Sequence, residues 1–520
     1  MDSQRRRHCL VAGVAIFGLT LAPDVAAQAA SSPSPAFKVA QVGATGTVSA
    51  AYGLNATGQT VGVMLVEDEN HSYQWFNGIS TDLHNVVHFS LRHPYFGVGI
   101  HQAFDISNGG QIVGTARLKV DCDPEDFVVQ TAYILSPGVL SDLGTPFPGD
   151  ALVNLFTLGP VCSAHDSAAI AISNANHVVG WADASSAGGV VHAFLATPIG
   201  GSWLVDADDN NVNDVLIDLG TLDAFSTVSS ATDVNDSGVV VGYSYTVTAS
   251  TANETGYHAF RIVPVGGVWN DNADNPGQPN NLMEDLGTLG GLNSWARGIN
   301  NSGVIVGESD TSDRRVRAFR WSNGTMTDLG TLGGNNSSAA SINDSGDIVG
   351  WAEDAEGVRR AVVWLGGTEI KDLNSQVVVT DQGKVFMTEG RAINEHRQIV
   401  GWGNTQSSTA TQMAFLLRLA TTTEIAAADA ILNGQTDTGT STDGGATGGA
   451  NGDGSTGGVT IVGTPQNLGD PATDTTVSGT TTDETPAAGL GVGGLCGTGL
   501  VSTMPLMLAG LVAMRRRMRR

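Results

Sequence analysis

A Val-Gly step recurs seven times along this chain, and its surroundings recur with it. The glycines are Gly62, Gly114, Gly180, Gly242, Gly307, Gly350 and Gly401. Seven residues before each stands Asn or Ser: Asn55, Ser107, Ser173, Asn235, Asn300, Asn343 and Asn394. Four before it stands Gly58, Gly110, Gly238, Gly303 or Gly346, with Asn176 and Arg397 in the two remaining copies. The likeness is tightest between the stretches that begin at Asp285 and Asp328. The glycines are 43 to 66 residues apart, a period that belongs to units which bury their apolar faces only against one another.

Each unit reads as four short strands. The first ends in a segment such as Ala340 to Asn343. An Asn-x-x-Gly turn follows, in which Asn bonds its own backbone and Gly supplies a positive φ. The Ile-Val-Gly run is the second strand. The third pairs a small residue with a large one: Ala193-Phe194, Ala259-Phe260, Ala318-Phe319, Ala361-Val362 and Ala414-Phe415, with Ala132-Tyr133 and Ser72-Tyr73 as looser copies. The fourth ends in Asp-Leu, at Asp82, Asp142, Asp218, Asp285, Asp328 and Asp372. Seven glycines therefore face six endings. The last copy stops at Leu419, and a spare strand, Phe37 to Gly43, precedes the first. The expected fold is all-β: a seven-bladed propeller over 36–419, closed when the N-terminal strand completes the last blade. Closure leaves no unpaired edge strand. The alternatives are an open β-solenoid or a six- or eight-bladed ring. Strands apolar on both faces, such as Val239-Val240-Val241, fit blades sandwiched between neighbours.

Composition narrows the function classes. Gly is 68 of 520 residues and charged residues are 15 %, far from the make-up of a helical bundle. A formal net charge of −26 excludes a nucleic-acid binder driven by a basic surface. An acidic exterior keeps an exported protein soluble and attracts divalent cations.

The two ends read as addresses. Arg5, Arg6 and Arg7 precede an apolar run from Leu10 to Leu21, and small residues follow. This is the pattern of a signal peptide over 1–29, cut after Ala27 or Ala29. Residues 420–488, rich in Thr, Gly and Asp and without Lys or Arg, bury too little apolar surface to order themselves and read as a disordered linker. Residues 489–520 combine an apolar segment with Arg515, Arg516, Arg517, Arg519 and Arg520, a stop-transfer arrangement that would leave the rest of the chain outside. The order of Gly494, Cys496, Gly497 and Gly499, an apolar segment and an arginine cluster resembles bacterial C-terminal protein-sorting tails. That resemblance implies removal of the helix and delivery to the surface, and the alternative is a plain transmembrane anchor.

The repeat itself resembles the extracellular HAF repeat, through His192-Ala193-Phe194, His258-Ala259-Phe260 and the Arg-Ala-Phe step at Arg317. The first two copies depart from it, with Ser72-Tyr73 in place of Ala-Phe and His84 in place of the glycine of Asp-Leu-Gly. The resemblance implies an exported bacterial protein and brings no activity with it.

Residues with chemistry in reach are few. Asp206, Asp208, Asn210 and Asp214 stand at relative positions 1, 3, 5 and 9, a spacing of hard oxygen ligands that can wrap Ca²⁺. The Glu expected at position 12 is Ile217, so a solvated hairpin tip is the plainer reading. Asp271 and Asp274 form a weaker copy in the next unit. His71, His192 and His258 share one repeat position, where a shared metal is conceivable and a polar strand residue is the plainer reading. Cys122 and Cys162 are candidates for a disulfide that export would permit. No Gly-x-Ser-x-Gly elbow, His-Glu-x-x-His or phosphate-binding loop occurs. The Asp-Leu carboxylates recur as a set and so read as caps on backbone amides. The expected function is non-enzymatic: a monomeric ring, exported to the cell surface or beyond, touching membrane only through its C-terminal segment. Its role is then binding or structural, with no nucleic acid and with an unknown surface ligand such as a glycan. The alternative is a secreted carbohydrate-active hydrolase using acids from different blades.

Overall fold

The computed structural model describes residues 37–425 apart from 43–47, 85–98, 121–126, 137–151, 155–165, 184–189, 204, 206–213, 248–254, 273–277, 381–384 and 406–410. The strands form seven sheets arranged as the blades of a propeller. Blade one holds Ser49–Leu54, Thr60–Val66, Glu69–Phe76 and Ile79–Asp82, hydrogen-bonded in that order. Blade two begins at Gly99–Ile106, blade three at Ser167–Ile172, blade four at Ser229–Val234, blade five at Gly290–Ile299 and blade six at Gly333–Ile342. Blade seven holds Val385–Ile393, Ile399–Thr405, Gln412–Leu419 and then the N-terminal strand Phe37–Gln41. That strand runs antiparallel to Gln412–Leu419, with Phe37 opposite Leu419 and Gln41 opposite Phe415. The ring is therefore closed by the spare strand, as the counting of endings requires.

Two details differ from the sequence reading. Blade seven has a fifth strand, Val377–Thr380, which leaves blade six and pairs parallel to Phe37–Gln41 on its outer side. It covers an edge that would otherwise stay open. In blade two the fourth strand is Leu152–Asn154, and Tyr133 faces Asn154 as Phe194 faces Asp218 in blade three. Asn154 thus takes the strand position assigned to Asp142, which lies outside the described residues.

The recurring residues each have a mechanical reason. A Cβ on any of the seven Val-Gly glycines would sit about 2 Å from a carbonyl of the neighbouring first strand, for example Ser338 O facing Gly350 and Glu389 O facing Gly401. A bulge arches the first strand over that glycine in every blade. The turn glycines have φ from 75° to 86°, and Asn176 (63°) and Arg397 (56°) hold the same left-handed conformation without being glycine. Arg397 is tied there by its Nε donating to Asp347 Oδ2 at 2.6 Å.

The turn asparagines also join the ring. Asn300 Oδ1 accepts the amides of Ser302 and Val304, closing its own turn. Its Nδ2 donates to Asn343 O in the next blade, as Asn235 does to Asn300 O and Asn343 to Asn394 O. Asn394 Nδ2 donates to Asn55 O at 3.0 Å across 339 residues and shuts the circle. A second stitch runs from the amide of the alanine before Phe to a serine of the next blade, at Ala193–Ser229, Ala259–Ser294, Ala318–Ser337 and, across the closure, Ala414–Ser49. The core is divided accordingly. Seven buried clusters lie among the described residues, each drawn from two adjacent blades; Phe37, Val39, Phe415 and Leu417 pack with Val349 and Val363 at the seam of blades six and seven.

The signal-peptide residues Ala27 and Ala29, the sorting residues Gly494, Cys496, Gly497 and Gly499, and the apolar C-terminal segment lie outside the described residues. Among the described residues no helix is long and apolar enough to cross a membrane. The described chain runs six residues past Leu419, into the stretch read as a spacer. Glu424 there is bound by Arg418 and Lys38, and with the Thr421 amide they hold its carboxyl far below the usual range.

Candidate functional site

The first strands of neighbouring blades touch one another all the way round, so they are the innermost strands. The bulge residue of each is only partly covered, whereas the residue before it is buried. Tyr52, Phe104, Ile170, Thr232, Arg297, Ala340 and Arg391 are these residues, and they line the central channel. Ile, Thr and Ala satisfy the fold there in three blades. Arg297 and Arg391 are therefore additions that the repeat does not demand.

Both arginines enter ion pairs on the side of the bulge away from the Asn turns. Arg297 Nη2 meets Glu308 Oε1 at 2.5 Å, with side chains 10 % and 8 % exposed. Arg391 Nη1 meets Glu389 Oε1 at 3.2 Å, and Glu389 also holds Arg359 from blade six. Burial by itself would push Glu308 up, but Arg297 overrides it and holds the carboxyl below its usual range. Aromatic rings surround these charges. The Arg359 guanidinium lies 4.1 Å over Trp351, and that of Arg391 lies 5.5 Å from the Trp402 ring. Tyr52 stands 6.0 Å from Trp402 and 5.9 Å from Phe104. Burial pushes the Tyr52 hydroxyl up to about 12, against the opposing pull of Arg391. On the blade-four side Tyr243, Tyr257 and Trp295 continue the aromatic wall. Buried ion pairs are poor stabilisers compared with apolar packing of equal volume, so five charged groups placed here call for a reason other than folding.

Two further carboxylates lie just past the bulges, between neighbouring first strands. Asp105 Oδ2 accepts the amide of Ile172 in the next blade at 3.0 Å, and Asp233 Oδ2 that of Ile299 at 2.8 Å. Loss of solvent pushes Asp105 up to about 6 and Asp233 to about 7, even though each accepts two backbone amides.

The repeat histidines do not converge on a shared metal. Each bonds the Asp-Leu aspartate of its own blade through Nδ1: His71 to Asp82 at 2.9 Å, His192 to Asp218 at 2.9 Å and His258 to Asp285 at 2.8 Å. Arg360 takes the same place against Asp372. The second carboxylate oxygen accepts the amide two residues on, as Asp285 does from Gly287 and Asp328 from Gly330. These aspartates are strand-end caps. Of the calcium-loop residues, Asp206, Asp208 and Asn210 lie outside the described residues, and Asp214 is exposed. In the sister insertion Asp271 spends both oxygens on the backbone and side-chain amides of Asn281, closing its own loop; Asp274 is not among the described residues. Cys122 and Cys162 also lie outside them.

Sequence reading missed the Arg–Glu–aromatic cluster. Its signal was present as departures from the repeat: Arg in place of an uncharged residue at the bulge, and Glu308 directly after a Val-Gly glycine where Thr115 or Val63 stands elsewhere.

Residues 202–332, from the blade-three insertion to the start of blade six, match the model of a family described as a protein of unknown function, DUF3466. No curated protein matches the sequence. Among solved structures the chain is similar to TolB from Acinetobacter baumannii (10 % identity, 59 % of this chain and 63 % of that one, TM-score 0.31). It is similar also to Trypanosoma rangeli sialidase in complex with 2,3-difluorosialic acid (8 % identity, 63 % and 54 %, TM-score 0.31). A third is a polysaccharide lyase of family PL25, an ulvan lyase (9 % identity, 75 % and 99 %, TM-score 0.34). The chain thus spans less than two thirds of the first two of these proteins, and its likeness to all three is faint.

Proposed function

We propose that this protein is an exported, monomeric binding propeller, without turnover, whose recognition site is the channel mouth built by Arg297, Glu308, Arg359, Glu389, Arg391 and their aromatic neighbours. The signal-peptide pattern, the resemblance to the HAF repeat and the sorting-tail resemblance support export. The observation that carries the binding reading is that Arg297 and Arg391, each paired with a glutamate, stand at bulges where other blades manage with Ile, Thr or Ala. The ligand class is a saccharide. Trp351, Phe104 and Tyr52 are aromatic residues only partly covered and suit contact with the apolar face of a sugar, and Arg and Glu offer paired donors and acceptors for its hydroxyls. Glu308 is held as a carboxylate by Arg297, which suits hydrogen-bond acceptance and not proton donation to a leaving group. A panel of immobilised oligosaccharides, probed with and without EDTA, tests this. Retention that disappears in Arg391→Ala supports the reading. Release of shortened sugars from any member of the panel would move the protein to the hydrolase class, and absence of all retention would contradict saccharide recognition.

A further inference from the structure

Blade one departs from the repeat at its outer edge, and the departures gather in one place. His84 stands where Gly220, Gly287 and Gly330 follow the Asp-Leu pair in blades three to five. Ligand atoms of Glu69, His71 and His84 all lie within 4.8 Å of one another, the one such His, Cys or carboxylate group found among the described residues. His192 and His258 keep the same aspartate partner as His71 but gather no second histidine and no glutamate among the described residues.

The geometry points to a zinc-class divalent metal site at Glu69, His71 and His84, on the seam of blades one and two. Two imidazoles and one carboxylate form a borderline donor set, suited to Zn²⁺ and unsuited to Ca²⁺ or Mg²⁺. Asp82 supplies the outer partner. It accepts from His71 Nδ1 at 2.9 Å, which fixes the tautomer and leaves Nε2 as the ligand atom, and it also accepts the His84 amide at 2.9 Å. An oriented carboxylate–imidazole pair of this kind raises the basicity of the metal-binding nitrogen. The two rings stack at 4.1 Å and 8°, so binding requires the less buried His84 ring to turn out of the stack. A second bulge in blade two, between Ile100 and Gln102, singles out His101 on the strand that packs against Glu69–Phe76. His101 lies outside the group of three whose ligand atoms approach one another, and its place is that of a partner to a metal-bound water.

The test uses the protein purified without a histidine tag and stripped with EDTA. Calorimetric titration with ZnCl₂ should give one tight equivalent and a raised Tm, whereas CaCl₂ in its place should give neither. His84→Gly installs the residue that other blades carry, so folding is preserved and the zinc-induced rise in Tm should vanish. Glu69→Gln should weaken binding at least about tenfold, and His258→Ala, in blade four, should leave it unchanged. A rise in Tm of equal size in His84→Gly, or no stoichiometric zinc uptake by the unaltered protein, would overturn the assignment.

Discussion

The two ends of the innermost strands differ in what they repeat. At the Asn turns every blade does nearly the same thing. Asn or Ser closes its own turn, and five of the seven positions pass an amide proton to the next blade. From the bulges onward the blades diverge. Ile170 and Ala340 present only aliphatic groups, while Arg297, Arg391, Glu308 and Glu389 present charge among aromatic rings. The first end is what holds a ring of seven together, and identical blades suffice for it. The second end is free to vary because the fold does not depend on it, and a ligand needs an asymmetric surface.

The largest way to disturb the regular end is to open the circle. Deleting residues 36–43 removes the strand opposite Gln412–Leu419 and uncovers Val377–Thr380. It also takes Phe37 and Val39 from their core cluster, and burial of two such side chains alone is worth about 3–6 kcal/mol. Urea unfolding should show a loss of at least that size. A truncated chain that unfolds at the same midpoint would mean that the closure carries no load.

Next come the charges at the variable end, taken one at a time. Glu389→Ala leaves Arg359 and Arg391 without their shared partner in a half-buried setting. The expected cost is about 3 kcal/mol, the penalty of an uncompensated charge rather than the worth of the pair. Gly350→Ala tests the regular end at similar scale, since its Cβ would meet Ser338 O at 2.0 Å; about 3 kcal/mol, the upper end for overpacking, is expected for forcing that bulge apart. Gly303→Ala, strained only by a φ of 76°, should cost about 1 kcal/mol. If the two glycine variants melt alike, close approach is not what the Val-Gly glycine is for. Asn394→Ala breaks the last link of the circle and should cost about 1–2 kcal/mol by the same unfolding measurement.

A separate effect is a slope with pH. Asp105 and Asp233 have folded values raised to about 6 and about 7. Their contribution to stability is fully present below the ordinary carboxylate value and is lost as pH rises through those two values. Melting should fall by a few degrees between about pH 4.5 and about pH 7.5 from these groups, and the slope should flatten in the Asp105→Asn, Asp233→Asn double variant. An unchanged slope would assign the pH dependence to other groups.

The fold was legible because its determinants are local and repeated. One glycine that must pass under a bulge, one asparagine or serine per turn and a missing seventh ending were enough to give the blade count and the closure. The fifth strand of blade seven was not legible, since Val377-Val378-Val379 sits in a connection and nothing in one strand announces a parallel partner at the far end of the chain. Asp142 misled because Asp-Leu is a short pattern, and a long insertion let Asn154 take the register. The channel site was hidden for a different reason. Its charged residues come from blades five to seven and some of its aromatic rings from still others, and only the ring brings Arg297, Arg359 and Arg391 to one mouth. The histidine seam in blade one was half visible, as His84 in a glycine's place, but Glu69 and His101 gained meaning only from packing.

The most direct test separates stability from recognition in a single variant. Replacing Arg297 by Met together with Glu308 by Leu removes both charges of a buried pair and nearly keeps its volume. Urea unfolding of this double variant should show stability equal to or above that of the unaltered protein, while oligosaccharide retention is lost. Stability that drops by as much as in Glu308→Ala alone, or retention that survives intact, would contradict the assignment of the variable end to binding.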